Sequence, residues 1–384
     1  MIDISILNKL NAPTREERLA NLAAILPETK FPPMVSQYIN NHIHTTYSFS
    51  PYSPTAAVYA ARMEGLCTAG IIDHDSISGA EEFLEAAKLV DMPVTIGMEC
   101  RISMDGTRLE GRRTNNPDQV GVSYMTIQSV PHDKIATLTE FFKPYQAARH
   151  ARNRKMIEKI NTLVGTDLDY DKDVLPLSLA HENGGVTERH LMYALAIKLV
   201  KEVGKGENMV AKLATMGLSL SEKQKIQMLD TQYPFYEYDL LGILKSAFVP
   251  QIFIDATDEC PKLADMVKLC REVDAYLCYA YLGDVGDSVT GDKKAQKFED
   301  DYLDDVFECL KEEGVKAVTY MPTRNTPQQL QRLRDLCEQY GMFQISGEDI
   351  NSPRQSFVIK AMENPMFQNL IDATWKLIEH ENKS

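Results

Sequence analysis

Short apolar runs of strand length alternate with helix-length segments that open on capping residues, and this rhythm constrains the fold more than any other feature of the chain. Strands are expected at 39–44, 67–72 and 94–104. A helix opened by Ser53 and Pro54 separates the first two, and one opened by Ser78 with Glu81 separates the next pair. The rhythm resumes late, with strands at 275–280, 315–320 and 342–346, a helix through Leu303 and Leu310, and another opened by Thr326 and Pro327. Such alternation implies a parallel sheet or barrel. Between about residues 133 and 245 the strand signal nearly vanishes and helical stretches follow one another. One barrel interrupted by an inserted lobe accounts for both halves. The expected organisation is a helical extension over 1–38, a discontinuous barrel over 39–132 and 246–384, and an inserted helical subdomain over 133–245. A first helix is expected at 14–26, where Thr14 and Glu17 form a capping box. The closing helix around Trp375 is expected on the outside of the barrel.

Lys+Arg 41 against Asp+Glu 55 leaves a net charge of −14. A field of that sign repels phosphodiester backbones and anionic lipid, so neither duplex nucleic acid nor a membrane is an expected partner. No apolar run approaches the roughly 18 residues needed to span a bilayer. The seven cysteines contain no C-x-x-C pair and mostly lie in apolar periodic segments, where free thiols act as small hydrophobes. With an acid, Asp3, where a signal peptide carries a base, the expected compartment is the cytoplasm. A homo-oligomer is compatible with the sequence.

Three of the eight histidines fall at 42, 44 and 74, in or at the ends of expected strands. In His42-Ile43-His44 the strand period of two puts both imidazoles on one face, as a strand presents two ligands to one ion. Histidines satisfied by ordinary hydrogen bonds are the alternative. In Asp73-His74-Asp75 the same alternation turns His74 opposite to both acids, so one side ligates while the other supports it or caps the next helix. Glu99 places a carboxylate inside an apolar strand, which is costly unless it is paired or bound to a cation, and Arg101 on the same face is the alternative partner. Asp349 follows another strand. Functional groups of barrels collect at the C-terminal strand ends, so these positions are able to converge. A set of imidazoles and carboxylates suits Zn, Mn or Fe better than Mg or Ca.

In order and spacing, His42-Ile43-His44-Thr45, Asp73-His74-Asp75, Gly97-Met98-Glu99 and Gly347-Glu348-Asp349-Ile350-Asn351 resemble the motifs of the PHP (polymerase and histidinol phosphatase) hydrolases. The resemblance covers about 40–130 and 270–352, and the stretch with Thr187-Glu188-Arg189-His190 looks like the small inserted domain of phosphoesterase-type members. It implies an α/β fold, a distorted TIM-like (β/α)7 barrel, with up to three metals at its mouth and hydrolysis of phosphoesters through a metal-activated water. The chain departs from the family pattern at Phe49, where an aspartate is common, and at Asn351, where the last motif ends in histidine. The segment Leu277-Cys278-Tyr279-Ala280-Tyr281 and the strand at 122–128 offer no histidine either. Carried over residue by residue, His42, His44, Glu99 and Asp349 form one complete divalent-metal site, and His74 alone remains of the second. His74 and Asp73 are then expected to position substrate or a weaker ion.

Anion recognition in an acidic protein needs local positive charge, and arginine forks suit phosphate. The candidates are Arg101, Arg113, Arg324 and Arg354, with Asn351 beside the metal. Arg324 ranks first because a strand end and the Thr326-Pro327 helix start combine a guanidinium with backbone N–H groups. Ordinary salt bridging is the alternative for each arginine. The basic run 149–155 reads as a solvated helix face, and His132, His181 and His190 as loop, cap or structural residues. The expected function is metal-dependent hydrolysis of a small phosphorylated metabolite, with His74, Asp73 and Arg324 in catalytic roles. A degenerate barrel that binds a small anion or a partner without turnover is the alternative.

Overall fold

The strand rhythm closes into a seven-stranded sheet in the computed structural model, which describes residues 2–286 and 296–383. The strands are β1 (Val35–Ile43), β2 (Leu66–His74), β3 (Val94–Ser103), β4 (Val122–Gln128), β5 (Tyr276–Ala280), β6 (Ala317–Tyr320) and β7 (Phe343–Ser346), hydrogen-bonded in that order. Beyond β7 the sheet returns to its start: Ile350 N–H donates to the His42 carbonyl (3.1 Å) and His44 N–H donates to Ile350 (2.9 Å). This makes a nearly closed barrel whose last backbone link lies at the mouth, beside His42 and His44.

One strand breaks the expected parallel order. β4 runs antiparallel to both β3 and β5, whereas all the other neighbours are parallel. Parallel pairs need a crossover, usually a helix; β3 and β4 are joined by loop and turns over 104–121 instead, so the chain turns back.

Helices α1 (Ile4–Leu10) and α2 (Arg15–Ile25) precede the barrel, the second with the Thr14–Glu17 capping box. They join the barrel's apolar cluster through Leu7, Leu10 and Leu22, and the buried Arg18–Glu82 pair ties α2 to α4 (Ala80–Leu89). Ser53 caps α3 (Pro54–Met63) through the Ala56 N–H, but α4 starts after Gly79 without a side-chain cap, so Ser78 and Glu81 do not form the expected start.

The strand-free stretch forms α5 (Ile135–Val164), α6 (Glu188–Val203), α7 (Glu207–Thr215), α8 (Glu222–Leu229) and α9 (Tyr236–Ile252). These helices share an apolar cluster of their own, including Met156, Leu195 and Leu244, to which the barrel loop contributes Phe49. The first turns of α5 place Ile135, Leu138 and Phe142 in the barrel cluster, so this one helix reaches both cores. The chain then continues through α10 (Leu263–Glu272), α11 (Leu303–Glu313), α12 (Pro327–Tyr340) and α13 (Gln368–Glu381). α13 leaves Trp375 exposed and packs Leu377 against the sheet, while its buried Glu381 accepts from the Thr95 hydroxyl and the Ile96 N–H (3.1 Å).

The basic run on α5 is a solvated face only in part: Arg154 and Lys155 are exposed, but its other arginines are not. Arg149 and Arg152 are buried, with Arg149 paired to Asp75 and Glu188 (3.0 Å) and Arg152 to Glu188 and Glu259 (2.7 Å). Arg101 of β3 joins them through Glu259 and Glu188 (3.6 Å). Helical spacing placed one face of the run against the barrel, where three acids neutralise it.

Candidate metal centre and anion cavity

The strand ends deliver their side chains to one point. β1 presents His42 and His44, β2 ends on His74, β3 carries Glu99, and the segment after β7 brings Asp349. Glu99 Oε2 lies 3.3 Å from His42 Nε2, 3.7 Å from His44 Nε2 and 3.2 Å from His74 Nδ1. Asp349 Oδ1 lies 3.1 Å from His44 Nε2. The stacked rings of His44 and His74 are 4.5 Å apart. Gly347 permits the approach of the last segment, since a Cβ there would sit 2.6 Å from that of His42.

These groups fit a cation. His44 is fully buried, yet its Nε2 has no hydrogen-bond partner and faces two carboxylates. Its other nitrogen faces the Ser48 hydroxyl (3.3 Å), and that hydroxyl donates to Asp73 (2.6 Å). An oxygen that donates to Asp73 has its lone pairs left for His44 Nδ1–H, which leaves Nε2 as the nitrogen aimed at the carboxylates. Burial opposes charge on this ring, but Asp349 and Glu99 raise its proton affinity overall, and a cation there would take the proton's place. Burial pushes the His74 ring down to about 4, leaving it neutral at physiological pH, as a ligand must be. Burial works against charge on Asp349 and Glu99 too, but the facing imidazoles, His44 for Asp349 and His74 with His42 for Glu99, hold both carboxylates below their usual range. The donors form two overlapping triads, His42/His44/Asp349 and His44/His74/Glu99. Only one nitrogen of His44 is free of Ser48, so the shared imidazole serves one ion at a time.

The cluster opens into a cavity of about 720 Å³ lined by His42, His74, Glu99, Asp349 and Asn351 on one side and by Tyr281, Phe298, Tyr320 and Arg324 on another. Residues from the inserted helices also line it: Arg189 on α6 and Lys245 on α9. Arg189 donates only a long bond to the Asn351 carbonyl (3.4 Å), its Nε is buried without a partner, and its guanidinium lies over Phe49 (5.3 Å). Burial lowers the proton affinity of both Arg189 and Lys245, and Asp349 is among the acids that act on each. Among the described residues no carboxylate forms an ion pair within 4 Å of Arg189, Lys245 or Arg324.

Residues 40–373 match the PHP domain. The chain belongs to the PHP family. Error-prone DNA polymerases of Mycobacterium bovis and Mycobacterium tuberculosis are 33% identical to it over 96 residues, 24% of this chain and 8% of theirs. The chain thus spans under a tenth of those relatives. Among solved structures, a protein of Bifidobacterium adolescentis described as a metal-dependent phosphoesterase shares the fold at a TM-score of 0.55 and 18% identity, over 88% of this chain and 98% of that one. An amidohydrolase of Chromobacterium violaceum, solved with sulfate and no metal, matches at a TM-score of 0.55 and 14% identity, over 88% of this PHP chain and 96% of its own. At these identities the two neighbours show that the fold is shared. No helix among the described residues is long and apolar enough to cross a membrane.

Several expected site residues stand elsewhere. Asp73 is turned away from the cavity and accepts from Thr45 N–H and Oγ1 (both 2.6 Å) as well as Ser48, so it holds the loop after β1 instead of touching substrate. Arg101 is consumed by Glu259 and Glu188. Arg113 donates to the Asn116 and Pro117 carbonyls (3.0 and 2.9 Å), bracing its own loop. Arg354 makes a two-pronged pair with Asp239 of α9 (2.9 and 2.7 Å) over the Tyr233 ring. Each has an internal partner that a one-dimensional reading does not reveal. Arg324 does line the cavity, but Thr326 and Gln329 cap the start of α12 reciprocally, which occupies backbone groups offered above as an anion site. Asn351 lines the cavity and donates to Asp349 Oδ1 (2.6 Å). Phe49 packs against His190, Tyr193 and Tyr238. His190 accepts the Thr187 N–H (3.0 Å) in a capping box, and His132 faces Glu381 (3.8 Å), away from the cluster.

Arg189 and Lys245 were not singled out as anion binders. One signal for Arg189 was present: a cation in the first turn of a helix opposes the macrodipole, and Arg189 directly follows Glu188 at the start of α6.

Proposed function

We propose that the chain is a hydrolase of phosphoesters on small metabolites, working with one divalent transition-type cation, Zn, Mn or Fe. The observation that carries this reading is the meeting of three imidazoles and two carboxylates at the floor of a cavity whose wall carries cations that no described carboxylate pairs with inside 4 Å. His42, His44, His74, Glu99 and Asp349 would hold the ion. When bound, it supplies Lewis acidity and an activated water.

The chain's own residues do the rest. Arg189 and Lys245 attract the phosphoryl oxygens toward the cluster and offset the charge that builds on them. Ser48 and Asp73 keep His44 in one tautomer, and Asn351 keeps Asp349 turned inward. The inserted helices reduce the water around these groups, which strengthens every charge interaction in the cavity.

Chelator-treated protein reloaded with Zn, Mn or Fe and assayed on a phosphomonoester panel tests the reading. Turnover that needs metal and disappears in His44→Ala supports it. Metal binding without turnover on any ester favours the binding-only alternative, motivated by Phe49 and Asn351 standing where the family carries ligands. No metal binding contradicts the site itself.

A further inference from the structure

We propose that the cavity holds a second anion-binding pole at Arg324, and that the substrate it fits is a phosphoester with another anionic group, phosphate or carboxylate, at its far end. The inference rests on the phosphoester reading and adds the substrate's other end.

Arg324 is held as a receptor is. Its Nε donates to the Leu282 carbonyl (2.9 Å), which also accepts from Asn325 Nδ2 (2.8 Å). The buried Glu299 fixes that loop from behind by accepting from the N–H groups of Leu282 (2.9 Å) and Gly283 (3.4 Å). The guanidinium carbon lies 5.9 Å from the Phe298 ring centroid. Anchored through Nε alone, the half-buried side chain keeps both terminal nitrogens without a partner among the described residues. Those two nitrogens are the fork that grips a carboxylate or phosphate edge.

The nearby acids are engaged elsewhere. Glu299 accepts two backbone N–H groups through Oε1, Glu348 accepts from Thr323 N–H (2.9 Å), and Asp300 accepts from the Tyr281 hydroxyl (2.7 Å) and Gln329 (2.6 Å). The two terminal nitrogens of this half-buried guanidinium are thus left for a ligand's oxygens, with no described carboxylate bonded to them.

The pole is also separate from the first. Glu299 and Glu348 are the acids that act most on Arg324, whereas Asp349 is among those that act on Arg189 and Lys245. Arg324 follows β6, while the cluster comes from β1, β2, β3 and the segment after β7. A cavity of about 720 Å³ has room for a ligand that spans the two.

The test is calorimetric titration of manganese-loaded protein with three non-hydrolysable probes of similar backbone length: butylphosphonate, butane-1,4-bisphosphonate and 5-phosphonopentanoate. At least one doubly anionic probe is expected to bind wild type about tenfold or more tightly than butylphosphonate. Which of the two gains tells phosphate from carboxylate. Arg324→Gln is expected to erase the gain, Arg324→Lys to keep part of it, and Arg189→Gln to weaken all three probes alike, with melting temperatures confirming that each variant folds. Equal affinities in wild type, or a gain that survives Arg324→Gln, overturn the second pole while leaving the phosphoester reading intact. Failure of every probe to bind overturns both.

Discussion

Two groups of basic residues have opposite fates. Arg101, Arg149 and Arg152 are buried among Asp75, Glu188 and Glu259, three cations against three acids. Arg189, Lys245 and Arg324 face the cavity without an ion pair among the described residues. Glu188 and Arg189 are neighbours in sequence, yet the first belongs to the network and the second to the cavity. Residue type therefore says little about role in this protein. What decides is whether the fold brings an acid to the cation or leaves that acid to a ligand.

The sharpest way to break this comparison is Glu188→Ala, which would leave Arg101, Arg149 and Arg152 with excess buried charge. A loss of about 3–5 kcal/mol is expected in chemical denaturation, against little change for Arg189→Gln next to it. Similar midpoints for the two variants would erase the distinction.

Glu299 supplies an intermediate case, an acid near a cavity arginine but bonded to backbone. Burial raises its carboxyl from 4.5 to about 7. Because the folded value exceeds the unfolded one, the folded state binds the extra proton between them. Its contribution to stability is complete below about pH 4.5, declines as pH rises and is gone above about 7. Glu299→Gln should remove that part of the pH dependence, a wild-type-minus-variant difference on the order of 3 kcal/mol across the window. Parallel stability curves from pH 4 to 8 would contradict the assignment.

A smaller effect is expected behind the metal centre. Ser48→Ala removes the acceptor for His44 Nδ1 and should weaken Zn or Mn binding by about 10–100-fold while leaving the ligands in place. The smallest concerns the open cations: Arg189→Gln should weaken inorganic phosphate binding by about tenfold. Its melting temperature should hold, since no acid loses a partner.

The fold was largely legible because it is written in local signals. The caps of α2, α3 and α12 and the apolar runs of the strands need only a few neighbouring residues to be read. The reversal of β4 was not legible, since it depends on what joins β3 to β4, and the gap over 104–121 carries no periodic signal that tells a crossover from a turn. α1 was missed because its seven residues are too short for periodicity to declare itself. In the site, strand alternation correctly set His74 opposite Asp73 and put His42 and His44 on one face. The basic residues were harder. Whether Arg354 meets a phosphate or Asp239, or Arg101 meets a ligand or Glu259, depends on elements more than 100 residues apart in sequence. Arg189 and Lys245 lie on helices whose position over the barrel is a property of tertiary packing.

Titration of chelator-treated wild type and His44→Ala with Zn and Mn, following heat and bound-metal content, bears most directly on the account. Wild type is expected to bind one equivalent tightly, and the variant, without the imidazole shared by both triads, to lose that binding. Equal binding by the two proteins, or none by wild type, would contradict it.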